Sequence, residues 1–400
     1  MAAVYGQTST YDSTTLSNLH VSIEDLVTKY PAQKFPLLNR LNSKIFDKEV
    51  DNPKYEWKQE NLRPITDTLN GAISSTSATT LVATTAGVFY VDDVIQIDSE
   101  QMIVTGIASD GVTLTVSRGW ASTAATHSNA ATITRVGIAA KEGADADGAV
   151  FQGLSDLYNY SQIFEDVVLM SGTEEEAFLY STKNGKDNAS GQITTKQQEL
   201  MEMFQAALIL GKRNNDTSGK RRSLGGIKYF IDTYAPASNI LSMGGASAWY
   251  TQSTIIPSAV TQQYTVAQQK LDDLIQQLVY KRSNPTAIYV GYKAIRRMML
   301  WDVGIMKKDA PDTTRGYKVP ATYLSQAGEL DIVQIPGDIM NDLILVVDET
   351  KIGFKPFVNR GWFTEKLAKT GDSSKWQVLG EYGFKMALPE TAGYINTLGL

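Results

Sequence analysis

The chain contains few of the side chains that most often carry out catalysis or bind metals. It has no cysteine and only two histidines, His20 and His127, which stand far apart in the sequence. The lack of cysteine excludes disulfides, thiolate nucleophiles, cysteine-bound zinc and iron–sulfur clusters. Two histidines cannot form a three-histidine metal site, and histidine is the most common general base. An enzyme built from this chain would therefore have to work with carboxylates, lysine, tyrosine or serine.

Two acidic groups are the strongest remaining candidates for chemistry. The run Glu174–Glu176 could bind a cation or act as acid and base, but consecutive residues point in different directions on any regular element. A solvated face is the better interpretation. Asp92, Asp93 and Asp98 lack the Asp-x-Asp-x-Asn/Asp-Gly spacing of a calcium loop, which favours positions in turns and at strand edges.

The other patterns that could bind a ligand are incomplete. His127 lies among Ser, Thr and Ala with no second ligand near it in the sequence, so we expect a surface histidine and not a metal site. Gly185-Lys186 resembles the end of a P-loop, but Asp187 stands where Ser or Thr is required. We therefore predict no catalytic residue, no metal site and no cofactor, and expect that the protein is not an enzyme.

Basic side chains concentrate in one part of the chain, which comprises Lys212, Arg213, Lys220, Arg221 and Arg222. This cluster is a candidate contact for a polyanion such as DNA or for an acidic neighbouring subunit. A solvated loop after a helix is the plainer alternative. The net charge of −6 argues against a dedicated nucleic-acid binder, although it leaves local basic patches open.

Length and composition indicate a folded chain with more than one core. At 400 residues, 42% hydrophobic and 20% charged, it is too long for a single small core, and we expect two or three subdomains. The longest aliphatic run, Leu343 to Val347, is far too short to cross a bilayer. The segment 1–15 has neither the basic nor the apolar region of a signal peptide, so secretion by the usual route is not expected.

The segment 71–137 differs in composition from the rest of the chain. It has no Pro and no Lys, is dense in Thr and Ser, and carries short β-branched or alternating apolar runs. Asp110-Gly111 stands between two of these runs and is typical of a hairpin, because the turn needs a positive φ. The segment therefore reads as a small all-β module inserted into a different chain.

The segments on either side of this module predict an extended arm. An amphipathic stretch at 16–30 has helical spacing and ends at Pro31. An extended, charged and aromatic segment follows at 52–62, and after the module a polar stretch at 138–153 leads into a strand at 158–170. Two extended limbs joined through an inserted module have little core of their own, so a neighbouring molecule has to cover them.

The remaining sequence predicts helices first and strands later. A strong helix is expected over 190–211, with Ser190 as N-cap and Gly211 at its end. Its inward face is expected to be formed by Ile193, Leu200, Met203, Phe204 and Leu208. Further helices are expected at 264–282 and 293–301, and strands at 158–170, 287–290, 330–335, 343–347, 352–357 and 376–386. The chain is therefore predicted to be α+β with one all-β insertion.

Six short motifs occur in one order along the chain: Tyr55–Trp57, Tyr158–Thr173, Ser223–Ile227, Leu367–Asp372, Glu381–Gly383 and Ala392–Ile395. In this order they resemble the tailed-bacteriophage major capsid proteins of the SU10-like group, and the match covers most of residues 45–400. The module resembles the insertion that many such proteins carry, through Ile97–Met102 and Val116–Gly119. The ordered series carries the resemblance, since no single motif is decisive.

The resemblance implies the HK97-like capsid fold, with an N-terminal arm, an E-loop, a P domain with a long spine helix, and an A domain. The implied segments are the N-terminal arm (1–46), the first side of the E-loop (47–70), the all-β insertion (71–137), the E-loop return (138–157), the P domain (158–219, with spine helix 190–211), the A domain (220–327), and the P-domain sheet with the C-terminus (328–400).

The resemblance also implies how the protein works and with what. Copies would assemble into hexamers and pentamers of an icosahedral head shell around phage double-stranded DNA, with the E-loop lying over a neighbouring subunit. Lys54, Tyr55, Trp57 and Leu62 would then be contacts in that interface. The other implied partners are a portal, a separate scaffolding protein, decoration proteins and non-specifically bound DNA, with no membrane. The implied location is the virion, after assembly in the host cytoplasm.

Two other interpretations remain open at this point. A virion-surface or extracellular β-rich binding or decoration protein would account for the Thr-rich module, but not for the long helix or the ordered motifs. A hydrolase could use the acids of 165–176, in which case Glu165→Ala or Glu175→Ala would abolish turnover while leaving solubility intact.

Overall fold

A computed structural model gives the fold for most of the chain. It describes residues 35–42, 49–60, 63–143, 153–176, 188–242, 257–298, 306–308, 320–340, 343–369 and 371–396. The predicted helix at 16–30 and the predicted contact residue Leu62 lie outside these ranges. The helices described are α1 (Pro36–Leu41), α2 (Gly172–Glu176), α3 (Asn188–Leu210), α4 (Ile227–Tyr234), α5 (Pro257–Tyr280) and α6 (Tyr292–Met298).

The strands outnumber the helices in the described ranges. In the first half of the chain they are β1 (Lys54–Glu60), β2 (Thr66–Thr68), β3 (Thr80–Val82), β4 (Asp93–Ile97), β5 (Glu100–Ile107), β6 (Thr113–Ser117), β7 (Thr132–Ile138), β8 (Leu154–Tyr160) and β9 (Gln162–Ser171). In the second half they are β10 (Asn214–Asp216), β11 (Arg221–Ser223), β12 (Ile240–Ser242), β13 (Ala287–Val290), β14 (Met306–Lys308), β15 (Pro320–Ser325), β16 (Gly328–Gln334), β17 (Leu343–Val347), β18 (Ile352–Pro356), β19 (Phe363–Leu367), β20 (Ser373–Met386) and β21 (Gly393–Asn396). The prediction of an α+β chain is confirmed.

The chain divides into two compact units, Met1–Trp57 with Tyr158–Leu400, and Lys58–Leu157. The larger unit contains a mixed seven-stranded sheet in the order β12-β21-β17-β13-β16-β15-β14. Every residue of β13 and β17 is buried, which is the pattern of strands covered on both faces. The buried residues that α5 adds to this core are Leu271, Leu274, Ile275 and Leu278.

A second sheet of the larger unit is built around its longest strand. β20 pairs with β9 along Ser373–Tyr382 on one edge. On its other edge it pairs with β19 along Lys375–Leu379 and with β18 along Tyr382–Met386. α3 packs on this sheet, where the Phe204 ring lies 5.2 Å from that of Phe164 in β9. The phenylalanines give the long helix an aromatic contact with the sheet.

The smaller unit contains a six-stranded sheet in the order β2-β7-β4-β5-β6-β3. Its end strands also meet, because Leu69 bridges to Ala83 and the Asn70 N–H donates to the Val82 carbonyl (2.8 Å). The sheet therefore closes into a small barrel. Its buried interior comprises Leu69, Ile73, Leu81, Ala83, Val88, Phe89, Ile95, Ile97, Met102, Val104, Leu114, Val116 and Ile133.

The barrel starts earlier than the module that composition predicted. β2 and Leu69 belong to the closed sheet, although the sequence placed them on the extended limb before Gly71. The hairpin predicted at Asp110-Gly111 joins β5 to β6, with Gly111 at φ 71°. A backbone bond from Ala108 to Thr113 (2.9 Å) closes this loop.

Other boundaries differ from the predictions for local reasons. The strand expected over 158–170 is interrupted at Ser161, whose N–H donates to the Pro53 carbonyl (2.9 Å), so β8 and β9 are separate strands. Ser190 is not an N-cap but lies inside α3, where its carbonyl accepts a bond from Thr194 (2.9 Å). α5 begins at Pro257, earlier than predicted, because proline fits the first turn of a helix. None of the described helices is both long and apolar enough to cross a membrane.

Candidate functional site

The root of the two-stranded arm, where β1 and β8 pair, brings several of the sequence motifs together. Tyr55 of β1 accepts a hydrogen bond from the Phe384 N–H (2.6 Å) and donates one to the Phe384 carbonyl (2.7 Å). Burial raises the pKa of Tyr55 well above its ordinary value, so its hydroxyl stays protonated and can donate. β1 is thereby fixed to β20 at a single point.

Asn159 joins three segments at this root. Its Nδ2 donates to the carbonyls of Gly225 (3.0 Å) and Phe384 (2.8 Å), and its Oδ1 accepts from the N–H groups of Gly225 (2.8 Å) and Tyr160 (2.9 Å). The side chain is fully buried, and these four bonds use its full hydrogen-bonding capacity. It ties β8 to β20 and to the turn before α4.

Glu381 is the ionic member of the same region. Its buried carboxylate accepts a bond from the Ser161 hydroxyl (2.6 Å) and pairs with Arg222 (3.2 Å) and Arg360 (2.9 Å). A buried carboxylate is tolerated only when it is paired in this way. The pairs connect the β8–β9 corner with β11 and with the segment before β19. We call Tyr55, Asn159, Glu381 and Phe384 the arm-root junction.

The predicted E-loop contacts differ in their exposure. Trp57 is 7% exposed and its ring lies 5.7 Å from that of Phe230 in α4. Within one chain Trp57 is therefore a core residue, and Tyr55 is likewise bonded to its own chain. Their role as anchors in a subunit interface stays a prediction. Lys54 is exposed, pairs with Glu56 (2.5 Å) and stays a predicted subunit contact.

The spine-helix residues divide between two faces of α3. Leu200, Phe204 and Leu208 are buried, and Ile193 is half-buried. Met203, which was expected on the same face, is 56% exposed, because a step of one residue turns the side chain away from the sheet. The buried face also contains Gln205, which the sequence analysis left out.

The basic cluster is partly structural. Arg213 stacks on the Tyr158 ring at 3.7 Å and donates to the Tyr158 carbonyl (2.7 Å). Arg222 is the partner of Glu381 described above. Lys212, Lys220 and Arg221 are exposed at the β10–β11 hairpin, so the candidate polyanion or subunit contact reduces to these three cations.

The smaller unit contains a buried ionic network that the sequence analysis missed. Glu100 is fully buried and accepts two bonds from Arg118, at 2.7 and 2.6 Å. His127 is 4% exposed, and its ring nitrogens lie 2.8 Å from Asp98 and 3.0 Å from Glu100. The expectation of a surface histidine is therefore wrong. These residues come together from the β4–β5 turn, from β5 and from the loop after β6.

The acidic runs are engaged in local contacts. Glu175 accepts a hydrogen bond from Ser374 (2.6 Å) and one from Lys366 (3.4 Å), and the first of these is the main cause of its lowered pKa. Asp93 is the first residue of β4, in line with the predicted turn and strand-edge positions, and it is buried and pairs with Arg63. These contacts hold neighbouring segments together.

The geometry of the arm-root junction is that of a structural joint. Its polar groups are directed at the backbone and at each other, and they connect strands distant in sequence. Asn159 and Glu381 were not singled out by residue type, although both stand in motifs that carried the family resemblance. The sequence signal that could have identified them is a polar residue at a strand position where the alternation predicts an inward-facing side chain.

The comparison with protein families gives one match along nearly the whole chain. A model described as the SU10 major capsid protein matches residues 5–399. No curated protein matches the sequence.

Solved structures show similarity at low sequence identity. The capsid of a native GTA particle has 10% identity and a TM-score of 0.49, and the match covers 98% of this chain and 99% of that one. A structure from Mycobacterium phage Ogopogo has 8% identity and a TM-score of 0.48, covering 98% and 99%. One from Microbacterium phage Oxtober96 has 10% identity and a TM-score of 0.47, covering 97% and 99%.

Proposed function

The chain belongs to the SU10 major capsid protein family, and we propose on this basis that its arm-root junction sets the geometry of the phage head shell. The protein is a structural subunit of the virion, has the α+β, HK97-like capsid fold, and assembles with copies of itself. Its copies form the hexamers and pentamers of an icosahedral shell. A shell subunit needs contacts spread over several neighbours, and the two-stranded β1–β8 pair is available for such contacts.

One observation supports a role for the junction in assembly. Asn159 makes all four of its hydrogen bonds inside the chain, and Tyr55 is bonded twice to Phe384. Such a joint holds the root of β1 and β8 in one position against β20. In a closed shell, a small angular error in each subunit is repeated in every copy, so a fixed root favours closure.

The segments implied by the resemblance give the proposed division of labour. The parts of 47–70 and 138–157 that lie outside the barrel act as the two sides of the E-loop, and the exposed Lys54 contacts a neighbouring subunit. The exposed cations Lys212, Lys220 and Arg221 contact packaged double-stranded DNA or an acidic neighbour, by charge alone. The barrel braces neighbouring capsomers on the outside of the shell.

The remaining proposed partners are those that a phage head needs for assembly and DNA packaging. A portal, a separate scaffolding protein and decoration proteins act with the subunit, and assembly takes place in the host cytoplasm before DNA is packaged. The subunit has no catalytic activity of its own. The family match favours this function over that of a separate binding or decoration protein.

Electron microscopy of the expressed chain tests the proposal. We expect closed particles or ring-shaped capsomers in negative stain, and uniformly dispersed monomers would contradict a self-assembling shell.

Asn159→Asp replaces the donor to two buried carbonyls by a carboxylate oxygen, so we expect soluble protein with few regular particles. Asn215→Asp, at an exposed position of β10, is the matched control and should assemble normally. Normal particles from Asn159→Asp would contradict the proposal that the arm-root junction sets the geometry of the shell.

A further inference from the structure

The His127 ring lies between two carboxylates of the smaller unit. Nδ1 is 2.8 Å from Asp98 Oδ2, and Nε2 is 3.0 Å from Glu100 Oε2. The His127 main chain is also fixed, because it exchanges two hydrogen bonds with Ile73, both 2.9 Å long. The backbone that carries the ring is therefore held in place, and the ring itself is only 4% exposed.

The carboxylate of Glu100 is ionised over the neutral range. Burial alone would raise the pKa of Glu100, but bonds from Arg118, Ala125, His127 and Gly119 outweigh it and lower this pKa to about 2. The side chain of Asp98 is 66% exposed. A carboxylate oxygen can only accept hydrogen bonds.

The number of N–H groups on the ring depends on its protonation state. A neutral imidazole has one N–H, so one of its nitrogens would direct a lone pair at a carboxylate oxygen. Two N–H groups satisfy both contacts. We propose that His127 is held as an imidazolium, and that with Asp98 and Glu100 it forms a proton-dependent latch between the β4–β5 turn and the loop after β6.

The charged groups around the ring determine which hydrogen bond is lost when His127 loses a proton. The groups that face it are Asp98 in the turn, Glu100 in β5 and Arg118 after β6, while the segment on its other side contributes the main chain of Ile73. The neutral ring with its proton on Nε2 keeps the bond to the buried Glu100. The bond to Asp98 is then lost, and the turn is released from the loop.

Hydrogen exchange on the full-length chain tests the latch. The exchange rates of the Gln101 and His127 amides are measured at about pH 6 and about pH 8.5, on either side of the usual histidine pKa range. After correction for the intrinsic effect of pH on exchange, these rates report how often each amide opens. We expect opening to increase about tenfold at the higher pH, as for the loss of one charge-assisted hydrogen bond. An unchanged opening rate in the wild-type protein would overturn the latch.

Asp98→Asn separates the latch from a merely structural contact. Position 98 has φ 52°, which asparagine adopts readily, and its amide can donate to a neutral Nδ1. This variant should therefore lose the pH dependence and keep the fold. Asp92→Asn is the matched control, because Asp92 also has a positive φ (69°) and should retain the wild-type response. A response that persists in Asp98→Asn would contradict the proposal.

Ring exchange gives a second measure that does not depend on folding. The rate at which the C2 hydrogen of histidine exchanges depends on ring charge, and the chain has only two histidines. The His127 rate should follow a different pH profile in Asp98→Asn than in the wild-type chain. Identical profiles would show that Asp98 does not hold the charge on the ring.

Discussion

The ring of Tyr55 occupies the space that a side chain at position 383 would need. A Cβ built on Gly383 would lie 2.9 Å from both Cε1 and the hydroxyl oxygen of Tyr55. The glycine therefore allows β1 to approach β20 closely enough for Tyr55 to bond with the main chain of Phe384. Two of the motifs that carried the family resemblance are thus two halves of one contact.

Gly383→Ala should loosen the arm root. The added methyl group overlaps an aromatic ring that is held by two hydrogen bonds, so we expect a loss of about 1–3 kcal/mol in the free energy of unfolding, measured by denaturant titration of unassembled subunits. Gly371→Ala is the control, since a Cβ there meets nothing within 4 Å and should cost little. Equal stability of the two variants would contradict the packing relationship.

The sequence predicted that one face of the β1 strand is covered, but not which residues cover it. The alternation in β1, with Trp57 buried between exposed neighbours, is visible in the pattern Tyr55-Glu56-Trp57-Lys58. The pattern indicates one covered face. It does not reveal that Phe230, far along the chain, supplies the cover, because a strand that packs on its own chain and one that packs on a neighbour have the same period.

Phe204 and Met203 provide a matched pair on the spine helix. Phe204 is 1% exposed and contacts the rings of Phe164 (5.2 Å) and Tyr382 (4.8 Å), whereas Met203 is 56% exposed. Phe204→Ala should therefore cost about 3–5 kcal/mol of unfolding free energy, and Met203→Ala within about 0.5 kcal/mol. Chemical denaturation of the unassembled subunits measures both, and comparable losses would place the buried face elsewhere on α3.

His127 shows why the barrel network could not be predicted. Its partners Asp98 and Glu100 come from another hairpin, and nothing in the local sequence around position 127 points to them. The β-strands themselves were predictable from their apolar alternation. The loop after β6 has to fold back against the β4–β5 hairpin to bring the charges together, and three-dimensional packing decides that contact.

The acid response of the barrel should depend on Glu100. Its pKa in the folded chain is about 2, below the ordinary value of 4.5, so it contributes stability that is complete above about pH 4.5 and is lost as the pH falls toward 2. Hydrogen exchange of β5 and β6 amides between these pH values measures the loss. Glu100→Gln cannot ionise and should flatten this dependence, at the expense of stability at neutral pH. A wild-type barrel equally protected at both ends of this range would contradict the assignment.

Deleting the barrel should weaken the assembled shell more than the single subunit. The barrel has its own interior and its own closed sheet, so removing residues 63–139 and joining the limbs by a short flexible linker leaves the core of the larger unit intact. If the barrel braces neighbouring capsomers, calorimetry of purified particles should give a lower melting temperature, while the melting temperature of unassembled subunits stays close to that of the wild-type core. Particles with an unchanged melting temperature would show that the barrel has no bracing role, and a fall of the same size in both samples would place its contribution inside the subunit.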